Sequence, residues 1–499
     1  MILSIPLAWL QLKRERVRLL VALAGISFAV ILMFMQLGFR DALFDSAVRF
    51  HQSLEGDIFL INPKSTALIA MARFPEERLY QARGFDGVET GSPIYLDFGL
   101  WRNPEQKERK TRGILVIGFD PSQQIFNYAQ LTKNPKNPSP TEIEQVRQGF
   151  DRINLQDVVL FDRDSRAEFG RIACAYELYA KGQGEPITSE NLLKTCKVKE
   201  EAELIRLKTE FFGSGPLQPL MTEVSDRRIT VGGLITLGAS FGADGNMITS
   251  DLNFLRIFSS RPKGSIDVGL IKVQPGKTGS EVLSQMRPPT EAIEKSPLRP
   301  LKQMIARFGG PPVPEPKVCF AGASPEDKQN WPRCLCPLVS TAATNNLSPL
   351  PKDVCVLSKA EFVAFEQYYW QTSTTIGFIF AFGTVMGFVV GTIIVYQILY
   401  TDVTDHLAEY ATLKAMGYKN SYLLSVVFQE ALILAILGFI PGVTASIFLY
   451  NTINSATNLP VAMTPGRALL VFSLAIVMCC ISGTIAVRKV QSADPAEIF

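Results

Sequence analysis

The sequence is poor in histidine and in charge. Two histidines among 499 residues, His51 and His406, exclude chemistry built on clustered histidines, including His-rich zinc sites. Lys+Arg (50) nearly balance Asp+Glu (47), whereas nucleic-acid-binding proteins carry a marked basic excess. Charged residues make up 19%, below the roughly 25% of soluble domains, and the mean hydropathy is +0.15. This composition indicates a membrane protein with a large soluble part.

Sequence motifs for nucleotide binding and for catalysis are also missing. Gly276-Lys277-Thr278 resembles the end of a Walker A loop, but that motif needs a glycine five positions earlier, where Ile271 stands. The sequence contains no nucleophile elbow and no set of metal ligands. We therefore predict a non-enzymatic chain with no metal and no cofactor of its own. A membrane-anchored enzyme is the weaker alternative.

Four apolar runs meet the length of a membrane-spanning helix, about 20 residues. The third run contains one carboxylate, Glu430, and a proline, Pro441, that should kink it. Helices buried in a soluble core rarely stay free of charge for so long. The sequence therefore predicts an α-helical membrane protein with four transmembrane helices, at residues 19–39, 371–400, 421–450 and 468–487.

Lysines and arginines beside these spans predict the orientation. Eight lie before the first span, between the second and third, and after the fourth, whereas Arg467 alone lies between the third and fourth. Both termini should therefore be cytoplasmic, and residues 40–370 and 451–467 external. The first run is too long for a signal peptide, so it should be an uncleaved anchor. Residues 1–18 should form an elbow helix on the membrane, and residues 488–499 a cytoplasmic tail.

Residues 40–370 have the pattern of a large mixed α/β domain. Helices are expected at 75–83 and 279–286, and their alternation with strands suggests βαβ-like units. Two stretches, at about 171–222 and 287–352, are rich in Pro, Lys, Glu and Ser. They should be insertions on a compact scaffold, with disordered linkers as the alternative. The expected strands are residues 57–61, 94–100, 113–119, 158–161, 229–237, 266–273 and 354–357.

Six of the eight cysteines fall in this external domain, which suits disulfides in an oxidising compartment. Cys174 and Cys196, in the first insertion, should pair with each other. The remaining four, Cys319, Cys334, Cys336 and Cys355, should pair among themselves. Cys334 and Cys336 are separated by one residue, which is too close for an ordinary zinc knuckle. The two cysteines of the fourth span, Cys479 and Cys480, should be free.

Residues 401–420 should form a cytoplasmic coupling helix between the second and third spans. On a helix, Asp402, Asp405 and Glu409 form one acidic stripe beside an apolar stripe, and Gly417 can end the helix in a left-handed conformation. Such a surface suits docking into a partner's groove. The alternative is a helix resting on lipid, which anionic headgroups disfavour. The residues assigned to coupling are Asp402, Asp405, His406, Leu407, Glu409, Tyr410, Lys414, Met416 and Gly417, with Val403 and Ala411 in the apolar stripe.

Gly383, Gly387 and Gly391 recur at intervals of four in the second span. They share one helix face, so another backbone can approach closely. The partner helix could belong to the same chain or to a dimer mate. The alternative is glycine scattered for flexibility.

Several motifs carry a resemblance to a known family. Residues 396–403 (Tyr-Gln-Ile-Leu-Tyr-Thr-Asp-Val) and 409–418 (Glu-Tyr-Ala-Thr-Leu-Lys-Ala-Met-Gly-Tyr) are similar to the DevC branch of the MacB/FtsX/LolC (type VII) class of ABC-transporter permeases. Residues 241–246, 249–254 and 493–499 resemble the same branch. The layout of one span, a large external domain and three further spans also resembles this class.

The resemblance implies a MacB-like homodimeric permease in the inner membrane of a bacterium, specifically a cyanobacterium. ATP and Mg would be bound by a separate DevA-type ATPase. A DevB-type membrane fusion protein and a TolC-like outer-membrane duct would complete a tripartite efflux assembly. Mechanotransmission would drive export of a lipid-like substrate, a glycolipid in the namesake. The alternative within the class is an FtsX-like mechanotransmitting regulator of a periplasmic partner, which is not a transporter.

Overall fold

The computed structural model describes residues 16–105, 110–181, 193, 196, 198, 200–213, 217–287, 290–292, 318–320, 350–351, 353–406, 408, 412, 416, 420–457 and 461–492. These residues fall into two compact units. One is helical and consists of residues before Leu43 and after Ser373. The other is a mixed α/β unit made from residues between those two positions.

The described residues contain the following α-helices: α1 Arg16–Ser53, α2 Glu77–Arg83, α3 Pro140–Arg152, α4 Ile172–Lys181, α5 Glu201–Phe212, α6 Asp251–Ile257, α7 Gly279–Met286, α8 Lys359–Tyr368, α9 Thr375–Asp405, α10 Asn420–Thr457 and α11 Pro465–Ser492. A π-helix, Tyr369–Ser373, follows α8 directly. The strands are β1 Ile58–Ile61, β2 Phe74–Pro75, β3 Val88–Arg102, β4 Thr111–Phe119, β5 Val158–Asp162, β6 Met221–Val224, β7 Arg227–Ile235, β8 Asn246–Ser250, β9 Ser265–Ile266, β10 Val268–Val273, β11 Thr290–Ala292, β12 Val318–Phe320 and β13 Cys355–Ser358.

The four long helices α1, α9, α10 and α11 are apolar enough to cross a membrane. The candidate spans are Leu19–Ser53, Gly377–Asp405, Ser425–Asn454 and Pro465–Ala486. The four predicted spans are therefore confirmed, although the first helix continues well past residue 39. It continues because no proline or glycine lies between Gly38 and its last residue, Ser53, and because Phe44, Val48 and Phe50 bury their side chains.

The α/β unit is organised by one sheet, in which nine strands of the described chain are ordered β13-β1-β10-β3-β4-β8-β5-β7-β6. All seven predicted strands belong to it. The expectation of βαβ-like units holds in part, because only β4–β8 and β5–β7 pair in parallel and the other ladders are antiparallel. Separate two-stranded pairs are formed by β2 with β9 and by β11 with β12.

Both faces of this sheet are covered, which explains why its central strands are apolar without alternation. Along β1, Phe59 and Ile61 belong to one buried cluster, whereas Ile58 and Leu60 belong to the cluster on the opposite face. Successive side chains of a strand point to opposite faces, so a continuous apolar run indicates two packed layers. The sheet is thus the middle layer of the unit.

The first predicted insertion is partly built into this scaffold. Helices α4 and α5 form their own small apolar cluster with Leu178, Leu204 and Leu207. The end of the stretch differs from expectation, since Met221 and Thr222 belong to edge strand β6, which pairs with β7. Most of the second predicted insertion lies outside the described residues.

Candidate functional site

The three glycines at intervals of four in α9 lie against α1. A Cβ added at Gly387 would meet Leu32 and Met33 at 3.6 Å, an ordinary contact distance. A Cβ at Gly391 would lie 2.7 Å from the Ala29 Cβ, and closer still to the Met478 Sδ on α11. One face of α9 therefore approaches α1 closely within the same chain.

A Cβ at Gly383, the first of the three, would press on the end of the flexible Gln36 side chain, 2.6 Å from its Cδ. Helix α10 approaches α1 in a similar way. At Gly442 a Cβ would come 2.7 Å from the Val30 Cγ1, and at Gly438 it would come 2.6 Å from the Ile26 Cγ2. Two helices therefore use glycine to lie against one fully buried face of α1.

An ion pair joins α1 to the start of α11. The Arg467 Nη2 atom donates to the Asp41 Oδ2 atom at 2.7 Å, and its Nε donates to the same oxygen at 3.1 Å. The guanidinium also donates to the Ala462 carbonyl and lies 5.8 Å above the Tyr450 ring of α10. Arg467 is 8% exposed and the Asp41 side chain is 26% exposed, so the arginine is shielded from water and the carboxylate only in part.

Tyr450 extends the same contact. Its hydroxyl donates to the Phe34 carbonyl, and a Cβ added at Gly38 would lie 2.5 Å from the ring carbon Cζ. Three of the long helices therefore meet at one polar point, which we call the Asp41–Arg467 clamp. Sequence reasoning treated Arg467 only as an orientation signal. The available signal was that both charges lie at the predicted outer ends of spans.

Glu430 lies within the helical unit and is 1% exposed. Other buried polar groups in this unit satisfy backbone carbonyls. The Ser27 hydroxyl donates to the Gly438 carbonyl at 2.9 Å, and the Ser482 hydroxyl donates to the Thr392 carbonyl at 2.8 Å. These bonds add interhelical contacts to the glycine packing.

The predicted coupling segment begins inside α9 rather than on a separate helix. Asp402 and Asp405 belong to its last turns, and the helix ends at His406, whose N–H donates to the Asp402 carbonyl at 3.1 Å. No glycine or proline separates the span from these residues, so the helix continues. Asp402 is 6% exposed whereas Asp405 is exposed, so the two carboxylates do not form one solvent-facing stripe. Val403 is fully buried.

Part of the same segment can be followed beyond His406. The Met416 N–H donates to the Thr412 carbonyl at 3.0 Å, and the Thr412 hydroxyl donates to the Ala408 carbonyl at 2.8 Å, both in the helical i to i−4 pattern. Met416 is 62% exposed. The other predicted coupling residues lie outside the described residues, namely Leu407, Glu409, Tyr410, Ala411, Lys414 and Gly417.

In the α/β unit, Cys174 and Cys196 form a disulfide, which is the pairing that the sequence predicts. Cys355 is also disulfide-bonded, whereas Cys479 and Cys480 are free. Cys334 and Cys336 lie outside the described residues, and nothing more is described for Cys319 than its place in β12. Within the described ranges, no three His, Cys, Asp or Glu side chains are arranged to hold a metal ion.

A buried acid and an imidazole that the sequence did not single out meet in the α/β unit. The His51 Nε2 atom of α1 lies 3.7 Å from the Glu366 Oε2 atom of α8, and both side chains are almost fully buried. Glu366 also accepts from the Leu68 N–H and from the Trp370 Nε1, each at 2.7 Å. Burial raises the pKa of Glu366 from 4.5 to about 7, although these hydrogen bonds oppose the shift.

The Trp370 ring stacks on Phe241, with centroids 5.5 Å apart. Trp370 belongs to the π-helix. π-Helices are rare in proteins, and those that occur often lie at functional sites. Glu366 of α8 thus binds the Leu68 backbone and this π-helix by hydrogen bonds inside a largely apolar core, with His51 of α1 beside it.

Comparison with known protein families gives one match, to the C-terminal part of the chain. Residues 381–495 match the model of the family described as "FtsX-like permease C-terminal". The matched part runs from within α9 through the predicted coupling segment, α10 and α11. It covers less than a quarter of the chain. No curated protein matches the chain.

Among solved structures, the chain is similar to the periplasmic region of MacB from Actinobacillus actinomycetemcomitans, with 10% identity over 46% of this chain and 79% of that chain and a TM-score of 0.24. It is also similar to the extracellular domain of the noncanonic ABC-type transporter YknZ from Gram-positive bacteria, with 10% identity over 47% of this chain and 89% of that chain and a TM-score of 0.23. Residues 381–495, which overlap three of the four candidate spans, are thus similar to the C-terminal part of FtsX-like permeases.

Proposed function

We propose that this chain is the permease subunit of an ABC exporter, which transmits ATPase-driven motion to its α/β domain and exports a lipid-like substrate. The observation that carries the proposal is the FtsX-like permease match over residues 381–495, which contains the predicted coupling segment, two of the four candidate spans and most of a third. ATP and Mg would be bound by a separate DevA-type ATPase. The sequence contains no nucleotide-binding motif, so force must enter from a partner.

The proposed entry point is the segment from Asp405 to Gly417. Asp405 and Met416 are exposed, so a charged group and a large apolar side chain are accessible to a partner. Because Asp402 and Val403 are buried, the docking surface would begin at Asp405 and not one turn earlier. A basic cleft on the ATPase would complement Asp405 and Glu409, with Leu407 and Tyr410 as apolar anchors.

Motion at this segment can reach α1 through rigid contacts. Helix α9 packs on α1 through its glycine face, and the Asp41–Arg467 clamp joins α1 to α11. Helix α1 is one continuous helix from Arg16 to Ser53 and carries residues of both compact units. A displacement of α9 relative to α11 would therefore move α1, because close-packed interfaces resist gradual deformation.

The assembly proposed here is a homodimer in a bacterial inner membrane, with both termini in the cytoplasm and the α/β domain in the periplasm. A DevB-type membrane fusion protein and a TolC-like duct would complete the export path. The test is to purify the tagged full-length chain from its native membrane after mild crosslinking and to identify its partners and bound lipids by mass spectrometry.

Recovery of an ATPase, an adaptor and an enriched lipid would support the exporter. Recovery of an ATPase together with a periplasmic hydrolase, and no adaptor, would instead support the FtsX-like regulator. Recovery without any ATPase would contradict both forms of the proposal. A chain with the segment from Asp405 to Gly417 replaced by a Gly/Ser linker is the matched control, because it should keep lipid and adaptor but lose the ATPase.

A further inference from the structure

A polar cavity in the α/β unit has a composition that the proposed export function does not explain. Its volume is about 760 Å³, within the range of small-molecule sites. Only two lining residues, Pro135 and Leu237, have apolar side chains. The polar and charged lining residues are Arg49, Gln52, Gln130, Lys133, Asn134, Lys136, Asn137, Asp164 and Thr236.

The charge of the lining is positive. Arg49, Lys133 and Lys136 face one carboxylate, Asp164, which gives the cavity a net charge of +2. Within the part of the chain that the structure describes, no ion pair is formed by any of these four side chains, although ion pairs are frequent elsewhere in this unit. Three cations that are not neutralised by neighbouring carboxylates favour an anionic ligand.

Arg49 is held in place by the wall of the cavity. Its Nη1 atom donates to the Leu237 carbonyl at 3.0 Å, which uses one of five guanidinium N–H donors. The adjacent Gly238 has φ +84°, and an added Cβ there would overlap Nη1. Glycine thus permits both the backbone conformation and the close approach of the guanidinium.

A buried carboxylate fixes the same turn. Asp162 accepts hydrogen bonds from the Leu237 N–H at 3.0 Å, the Gly238 N–H at 2.9 Å and the Asn246 Nδ2 at 2.7 Å. The Thr236 N–H donates to the Leu131 carbonyl at 2.9 Å, which ties this turn to the segment that carries Gln130 and Lys133. The position of Arg49 is therefore set before any ligand binds, which lowers the entropic cost of binding.

We infer that this cavity binds a phosphate- or carboxylate-bearing polar group that also carries hydroxyls. The three cations would bind the acid, and the side-chain amides, each with donors and an acceptor, would bind the hydroxyls. The group could be a soluble anion or the headgroup of an anionic lipid, and binding requires neither ATP nor the proposed ATPase.

The test uses the full-length chain in nanodiscs of neutral lipid. Calorimetry would compare glycerol 3-phosphate with glycerol, and native mass spectrometry would compare retention of phosphatidylglycerol with retention of phosphatidylcholine. We expect selective binding of at least one anionic probe, weakened by salt. Binding of the soluble probe alone identifies a free anion, and binding of the lipid alone identifies a headgroup.

Arg49→Gln should weaken binding about tenfold, the loss of one charge-assisted hydrogen bond. Lys133→Gln with Lys136→Gln should weaken it further. Lys64→Gln with Lys263→Gln, two exposed lysines elsewhere in this unit, is the charge-matched control and should bind normally.

Two glycine variants test whether binding depends on the position of Arg49 or only on backbone strain. Gly238→Ala should weaken binding because the new Cβ displaces Arg49. Gly276→Ala imposes a similar backbone strain, with φ +95° and no atom within 4 Å of the new Cβ, and should bind normally. The inference is overturned if the wild type binds neither anion, if it binds neutral and anionic probes equally, or if Arg49→Gln and Gly238→Ala bind as the wild type does.

Discussion

Two glycines one turn apart on α9 provide a matched test of the helix packing. A Cβ at Gly391 would lie 2.7 Å from the Ala29 Cβ, about 1 Å inside the usual contact of about 3.5–4.0 Å between carbons. Since the methyl group of Ala29 cannot rotate away, α1 and α9 must separate. Overpacking of this kind costs about 1–3 kcal/mol. At Gly387 the nearest atoms are at 3.6 Å, so alanine fits without any shift.

Gly391→Ala should therefore destabilise the helical unit by about 1–3 kcal/mol, whereas Gly387→Ala should leave it unchanged or stabilise it by up to about 1 kcal/mol through helix propensity. The assay is maleimide labelling of Cys479, which is fully buried, in full-length protein titrated with SDS in mixed micelles. Peptide mass spectrometry distinguishes Cys479 from Cys480. Equal midpoints for the two variants would refute the close approach of α9 to α1 at Gly391.

Three further predictions concern other contacts. Asp41 also accepts from the Arg40 Nη2 at 2.8 Å, so Asp41→Asn removes the charged partner of both Arg467 and Arg40 and should cost about 2 kcal/mol. Arg467→Gln in the same chain should add little to that loss; additive losses in the Cys479 assay would count against the Asp41–Arg467 clamp. Because burial raises the pKa of Glu366 from 4.5 to about 7, the unfolded chain ionises first as the pH rises. The contribution of Glu366 to the free energy of unfolding should be fully present below about pH 4.5 and fall by on the order of 3 kcal/mol by pH 7. Glu366→Gln should flatten that part of the melting-temperature profile, and an unchanged slope would contradict the assignment. Cys174→Ser should lower the stability of the α4–α5 cluster by about 3 kcal/mol, because the closed loop separates Cys174 from Cys196 by 22 positions; unchanged proteolysis of that cluster would speak against this.

Local patterns were enough to predict the spans and the strands. Uncharged runs identify helices such as α9, and apolar runs such as residues 58–61 identify strands buried on both faces. Pairing could not be predicted in the same way. The ladder between β4 and β8 is parallel and joins residues far apart in sequence, so the alternation of helices and strands suggested more parallel pairs than the sheet contains.

The candidate site shows the same division between local and long-range information. The spacing of the glycines predicted a packing face, but only the structure shows that α1 lies against it. The Asp41–Arg467 clamp joins residues 426 positions apart, and no local pattern reports such a contact. Helical periodicity placed Asp402 and Asp405 on one stripe, yet burial separates them because the span continues through both. Helix α3 was overlooked although Ser139 and Glu142 form a capping box ahead of it.

The most direct test of the account is the ATPase rate of the partner with and without the reconstituted chain. Asp405→Lys with Glu409→Lys should abolish ATPase binding and stimulation, while the chain stays folded and membrane-inserted. The matched control reverses two exposed carboxylates of the α/β unit, Glu89→Lys with Glu203→Lys, and should keep full stimulation. Wild-type binding and stimulation by the Asp405/Glu409 variant would contradict the claim that force enters through this segment.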